Sequence, residues 1–175
     1  MSLWKSNKRE IDQILEESVE IETHIHSYER WFEKASSPNG EIHVADEVGS
    51  GAGPFQIDAG NDTWGSWVQI LGSNDTPVQT GKVAFDLHRI EVENTERNET
   101  YFIQFGIGDS GAAALINDTY SDIVFTPLSN QLDGGPNELQ MPKVAAGNKV
   151  WARCKCAGQV TATIDFYVGL HEYDE

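Results

Sequence analysis

The sequence predicts an all-β protein: an antiparallel β-sandwich of the jelly-roll kind, preceded by an N-terminal coiled-coil helix. Two changes of pattern predict it. Through the first thirty-four positions apolar residues recur in sevens, the period of a helix that packs on other helices. From Glu41 onward the period drops to two, and clusters of glycine, proline, asparagine and aspartate punctuate the alternation every eight to twelve residues, the spacing of short strands in a sandwich. No strand–helix–strand alternation accompanies them, so a parallel sheet covered by helices is not expected. The chain therefore divides into an N-terminal helix over 1–37 and a sheet domain over 38–175.

Steps of three and four from Trp4 pass through Asn7, Ile11, Ile14, Ser18, Ile21, Ile25, Tyr28 and Phe32, and only Asn7 and Ser18 interrupt the apolar seam. Glu16, Glu17, Glu20, Glu22, Glu29, Arg30 and Glu33 flank it, which keeps the stripe narrow and suits packing against copies of itself. Isoleucine stands at both kinds of seam position, a choice that shifts parallel coiled coils from two strands toward three. The expected assembly is a homotrimer held through Ile11, Ile14, Ile21, Ile25, Tyr28 and Phe32. The same helix, its stripe widened by Leu15 and Val19, also fits a single amphipathic segment lying against the following domain. Ahead of the seam, Trp4, Lys5, Lys8 and Arg9 combine an aromatic anchor with positive charge and mark the tip as the part that docks on a partner.

The helical pattern ends at Ala35-Ser36-Ser37-Pro38-Asn39-Gly40, where small residues, a proline and a glycine follow one another. Beyond it, Ile42 and Val44 open the alternation, Phe55 to Ala59 and Trp67 to Leu71 form short strands, and Asn61-Asp62-Thr63 and Gly72-Ser73-Asn74-Asp75-Thr76-Pro77 turn the chain. Between Lys82 and Glu93 the apolar set Val83, Phe85, Leu87, then Ile90 and Val92, slips by one residue near His88-Arg89, which a β-bulge explains. Thr100 to Ile107 and Ile123 to Phe125 follow as strands, and Leu128 to Met141 as a long loop. Val150, Ala152, Cys154 and Cys156 then face one way and Trp151, Arg153 and Lys155 the other, before the chain returns through Val160, Ala162, Ile164, Phe166, Val168 and Leu170. Read locally, this last pair is a β-hairpin turning at Ala157-Gly158-Gln159.

At 175 residues the chain can bury a sufficient core without staples, and its two cysteines, two apart on one strand face, are expected reduced in that core. No apolar run of signal-peptide length opens the sequence and none reaches the length of a membrane span, so a soluble cytosolic product without a membrane partner is expected. The formal charge is −16, of which −3 falls through Ser37 and −13 on the remainder. Such an acidic body repels phosphate backbones, which excludes nucleic acid as an expected partner.

No spacing in the sequence marks a catalytic residue, a cofactor loop or a metal set. Gly106-Ile107-Gly108-Asp109-Ser110-Gly111 spells a dinucleotide fingerprint, but Asn117-Asp118-Thr119 interrupts before a crossover helix can form and the neighbouring strands alternate as antiparallel ones do. His24 and His26 are two apart on the expected helix and cannot share an ion. His43, His88 and His171 stand on separate strands, so a site built from them depends on tertiary contact. The aspartates at 62, 75, 109 and 118 lack the regular oxygen spacing of a calcium loop and are expected to serve turns.

The run Trp64-Gly65-Ser66-Trp67-Val68-Gln69-Ile70-Leu71-Gly72, the segment Val150-Trp151-Ala152-Arg153-Cys154, and the endings Thr161-Ala162-Thr163-Ile164-Asp165-Phe166-Tyr167 and Gly169-Leu170-His171-Glu172-Tyr173 resemble virion structural proteins of tailed bacteriophages. The resemblance covers the body from Trp64 onward. It implies a virion component, a capsid decoration or cement protein or a short head fibre, with the major capsid protein or another virion protein as partner. An alternative for the same architecture is a trimeric carbohydrate-binding adhesin or tail-fibre head, in which Trp64, Trp151, Tyr167 and Tyr173 would stack on a host-surface glycan.

Overall fold

A computed structural model describes residues 29–34, 45–47, 52–71, 82–127, 136–139, 141–158 and 161–174. In chain order these form β1 (Glu29–Lys34), β2 (Ala45–Glu47), β3 (Phe55–Asn61), β4 (Val68–Leu71), β5 (Ala84–Thr95), β6 (Tyr101–Ile107), a six-residue helix α1 (Gly111–Ile116), β7 (Tyr120–Phe125), β8 (Asn137–Glu138), β9 (Val144–Ala145), β10 (Val150–Cys156) and β11 (Ala162–Tyr173). The all-β class stands. Among the described residues no helix is long and apolar enough to cross a membrane.

The strands hydrogen-bond into one curled sheet with the path β2-β1-β11-β3-β10-β6-β7. β5 runs along the opposite edge of β11 and carries β8 and β9 on its far side, while β4 pairs with β10. The sheet is mixed: β3 and β10 are parallel, where the sequence pattern implies antiparallel neighbours throughout. Two long strands organise everything else. β11 holds β1 against Val168–His171 and β3 against Ala162–Phe166 on one edge, and β5 along the other.

Two expectations are corrected here. Glu29 to Lys34, including the seam residue Phe32, is a strand of the sheet and not the end of a helix. Its ladder with β11 places Phe32 opposite Val168 and buries it in the core, 2% exposed, so Phe32 holds the body together and is not an oligomer contact. Six residues are too few to separate a strand's period of two from the closing steps of a heptad. The last two strands are likewise not a hairpin: β3 lies between them, parallel to β10 and antiparallel to β11. Alternation reports which face a side chain takes and says nothing of which strand lies beside it.

One continuous core fills the inside of the curl. Phe55, Ile57, Leu71, Phe85, Ile90, Tyr101, Phe105, Cys154 and Phe166 all belong to it, with Phe166 edge-on to Phe105 at 5.8 Å between ring centroids. Strand alternation accounts for the inward set: β10 runs buried, half-buried, buried from Val150 to Cys156, as its sequence predicts. On β5 the expected bulge at His88–Arg89 is present, since Leu170 pairs with Leu87 and Gly169 with Arg89. A second register shift skips Glu93, between the pairs Phe166–Val92 and Asp165–Asn94.

Candidate functional site

Outside the core, the polar side chains of the β5–β11 ladder gather into one cluster. Asp86 and His88 are two apart on β5 and therefore share its outer face, and the register sets His171 of β11 directly opposite Asp86. The bulge falls at His88, whose ring stacks on that of His171 at 4.2 Å between centroids with 29° between planes. His171 Nδ1 lies 3.6 Å from Asp86 Oδ1, and the Tyr173 hydroxyl donates to Asp86 Oδ2 at 2.6 Å. Ligand-type atoms of Asp86, His88 and His171 all fall within 4.8 Å of one another. His171 is buried, 6% exposed, and the other two are half-buried.

Charged groups surround the cluster. Glu29 of β1 pairs across the ladder with His171, and its side chain passes over Gly169, where a Cβ would come within 2.6 Å of its carboxylate. That carboxylate meets Arg89 at 3.4 Å, and Arg89 also lies 3.8 Å from Glu138 of β8. Lys143 sits 4.1 Å above the Tyr173 ring. Burial, and then the bond to Asp86, raise the Tyr173 phenol above its ordinary range, so it remains a donor.

A second polar surface lies on the outer face of β10, β6 and β7. The Arg153 guanidinium is sandwiched between Trp64 at 4.7 Å and Trp67 at 4.5 Å. Its Nε donates to Gln104 Oε1 at 2.8 Å, and Gln104 in turn donates to Asp122 at 2.8 Å, a chain of contacts across three neighbouring strands. Burial lowers the Arg153 pKa from its ordinary value, against the opposing pull of Asp122. The Trp67 ring fits because two glycines make room: a Cβ on Gly111 would collide with it, and Gly106 lies beneath Ala114 and the ring edge. Ser110 caps α1 by accepting from the Ala113 N–H at 3.1 Å, which holds Gly111 against that ring.

Of the residues expected to carry oligomerisation and anchoring, Ile11, Ile14, Ile21, Ile25, Tyr28, Trp4, Lys5, Lys8 and Arg9 lie outside the described residues, as do His24, His26 and His43. Among the aromatics considered for sugar stacking, Trp64 is exposed, Trp151 is half-buried with its indole N–H donated to the Gly108 carbonyl at 3.0 Å, and Tyr173 is committed to Asp86. Tyr167 is half-buried beside Glu93. Cys154 and Cys156 are free thiols buried in the core. The glycine-rich stretch after β6 opens α1 and leads into β7, antiparallel to β6, which is not the crossover a dinucleotide site requires. Asp62 and Asp118 adopt positive φ of 48° and 58°, the turn role expected of them.

Two features were not readable from spacing. The pairing of Asp86-x-His88 with His171-x-Tyr173 carries a local signal, since each duo shares a strand face, but the register that joins the duos is set 85 residues apart along the chain. The Arg153–Gln104–Asp122 chain is likewise spread over three strands. Comparison of the chain with protein-family models, with curated proteins and with solved structures returned no match.

Proposed function

We propose that the chain is a non-enzymatic structural protein of a virion, a capsid decoration or cement protein or a head fibre, whose jelly-roll-like body is displayed by a trimeric N-terminal stem. The observation that carries this reading is the way β1 is fixed. From Glu29 the chain runs in the sheet through a four-pair ladder with β11, with Phe32 in the core and Arg30 ion-paired to the buried Glu172 at 2.8 Å. A segment attached there is joined to the body at a rigid point, which is what a stem that must orient a displayed domain needs. The charge split agrees, since the basic and aromatic tip Trp4, Lys5, Lys8 and Arg9 is separated from an acidic body.

The test adds purified protein to particles that lack it. Full-length chain is expected to sediment as a trimer and to attach, and a chain beginning at Glu29, which retains β1, is expected to stay folded, become monomeric and fail to attach. Attachment of the shortened chain with undiminished affinity would place the binding surface on the sheet and sink the stem model.

A glycan-binding reading is favoured by one observation, the Trp64 ring, which is 36% exposed while Arg153 lies against it. Saturable sugar binding on a glycan array, lost in Trp64→Ala, would move the function to an adhesin.

A further inference from the structure

We propose that Asp86, His88 and His171 form a binding site for a divalent transition-metal ion of the zinc class. The inference is independent of the structural-protein reading. Two imidazoles and one carboxylate are the donor set that zinc and its first-row neighbours take, whereas calcium and magnesium demand oxygen ligands throughout.

The backbone pre-arranges these donors. Asp86 and His171 are ladder partners on two of the longest strands in the sheet, and the bulge adds His88 to the same face. Because β5 and β11 are paired from end to end, the site rests on the most extensively bonded strands of the body and not on loops.

The carboxylate is already oriented. Tyr173 donates to Asp86 Oδ2 at 2.6 Å, while Oδ1, buried and accepting no hydrogen bond among the described residues, faces the imidazole side. A phenol holding one oxygen so that the other can ligate is the kind of outer contact that metal sites carry. Arg89 is ion-paired to Glu29, and Lys143 lies over the Tyr173 ring.

Metal–ligand bonds of about 2.0–2.1 Å in a tetrahedral site put ligand atoms about 3.3 Å apart. The present spread of up to 4.8 Å closes to that by rotation of the two rings out of their stack. Binding therefore unstacks His88 from His171. Three protein ligands leave a fourth position for water.

The experiment titrates chelator-stripped, full-length chain with Zn²⁺ by calorimetry and follows the imidazole resonances by NMR. One Zn²⁺ per chain is expected, with the His88 and His171 ring signals shifting together. His88→Gln and Asp86→Asn should each weaken binding by about 100-fold or more, and Tyr173→Phe by about 10-fold, the range seen for ligand-orienting contacts. Simultaneous replacement of His24, His26 and His43 by alanine should leave the affinity unchanged. Co²⁺ in place of Zn²⁺ should give visible ligand-field bands without a thiolate charge-transfer band, which separates this site from Cys154 and Cys156. Absence of saturable binding at micromolar Zn²⁺ would overturn the proposal. So would binding that survives His88→Gln, or that leaves both ring signals of the unmodified protein unmoved. The NMR readout on unmodified protein decides the question even where a variant fails to fold.

Discussion

Phe32→Ala separates two roles that one residue could play, seam contact in a stem or core residue of the sheet. Phe32 is 2% exposed, lies opposite Val168 in the β1–β11 ladder and has the Arg30 guanidinium 5.2 Å from its ring centroid. Truncating such a phenylalanine removes its transfer free energy and leaves a cavity, about 3–5 kcal/mol together. Against a total stability of about 5–15 kcal/mol for a domain, that is a large share. With a urea slope of about 2 kcal/mol per molar, the unfolding midpoint should fall by about 1.5–2.5 M. The assay is equilibrium urea unfolding followed by tryptophan fluorescence, run at two protein concentrations so that subunit dissociation is distinguished from loss of the core. The paired change of Ile21 and Ile25 to Asp should do the reverse, lowering the sedimenting mass while the concentration-independent part of the body's unfolding is kept. If Phe32→Ala moved the midpoint by less than about 0.3 M and instead dissociated the assembly, the core assignment of β1 would be refuted.

Burial pushes the Cys154 thiol up to about 12, so at pH 8 only about one molecule in ten thousand carries the thiolate, and an aromatic disulfide reagent should label the native chain orders of magnitude more slowly than the urea-unfolded one. Burial likewise raises Tyr101 to about 12 from an ordinary value near 10. The unfolded chain then loses this proton before the folded one, so stability present below pH 10 should decline as pH climbs from about 10 toward 12, and ultraviolet titration should show late phenolate formation coinciding with unfolding. Gly111→Val forces a branched side chain into the Trp67 ring, and the overpacking should cost about 1–3 kcal/mol and lower Tm by roughly 2–4 °C for each of them, read by differential scanning calorimetry.

How much of this was legible in the sequence depends on how local each feature is. Alternation located β3 through β6 and both C-terminal strands, and the single slip between Leu87 and Ile90 located the bulge, because face and period are properties of neighbouring residues. The burial of Cys154 and Cys156 followed from the same rule. Partner choice did not. Nothing within residues 150–170 signals that Phe55–Asn61 will wedge between the last two strands, since a strand that offers inward and outward faces accepts any neighbour of matching pattern. β1 was lost for a different reason: Phe32 continues the heptad of the residues before it, and Trp31 and Phe32 side by side break the apolar–polar alternation that would mark a strand. The histidine cluster combines both difficulties, needing a register between distant strands and the exact position of a bulge.

The wedging of β3 between β10 and β11 has a kinetic side. A C-terminal hairpin would close through a turn of a few residues in microseconds, but here neither strand can pair with its sequence neighbour. The central joint of the sheet, β10-β3-β11, draws its members from positions near 58, 153 and 164, so about a hundred residues must be looped out before its first hydrogen bond is made. During synthesis β3 leaves the ribosome long before either partner exists and carries Phe55 and Ile57 without both neighbours until β11 emerges. The body therefore folds late and as a whole, and a nascent chain stalled before β11 holds a sheet with its middle missing.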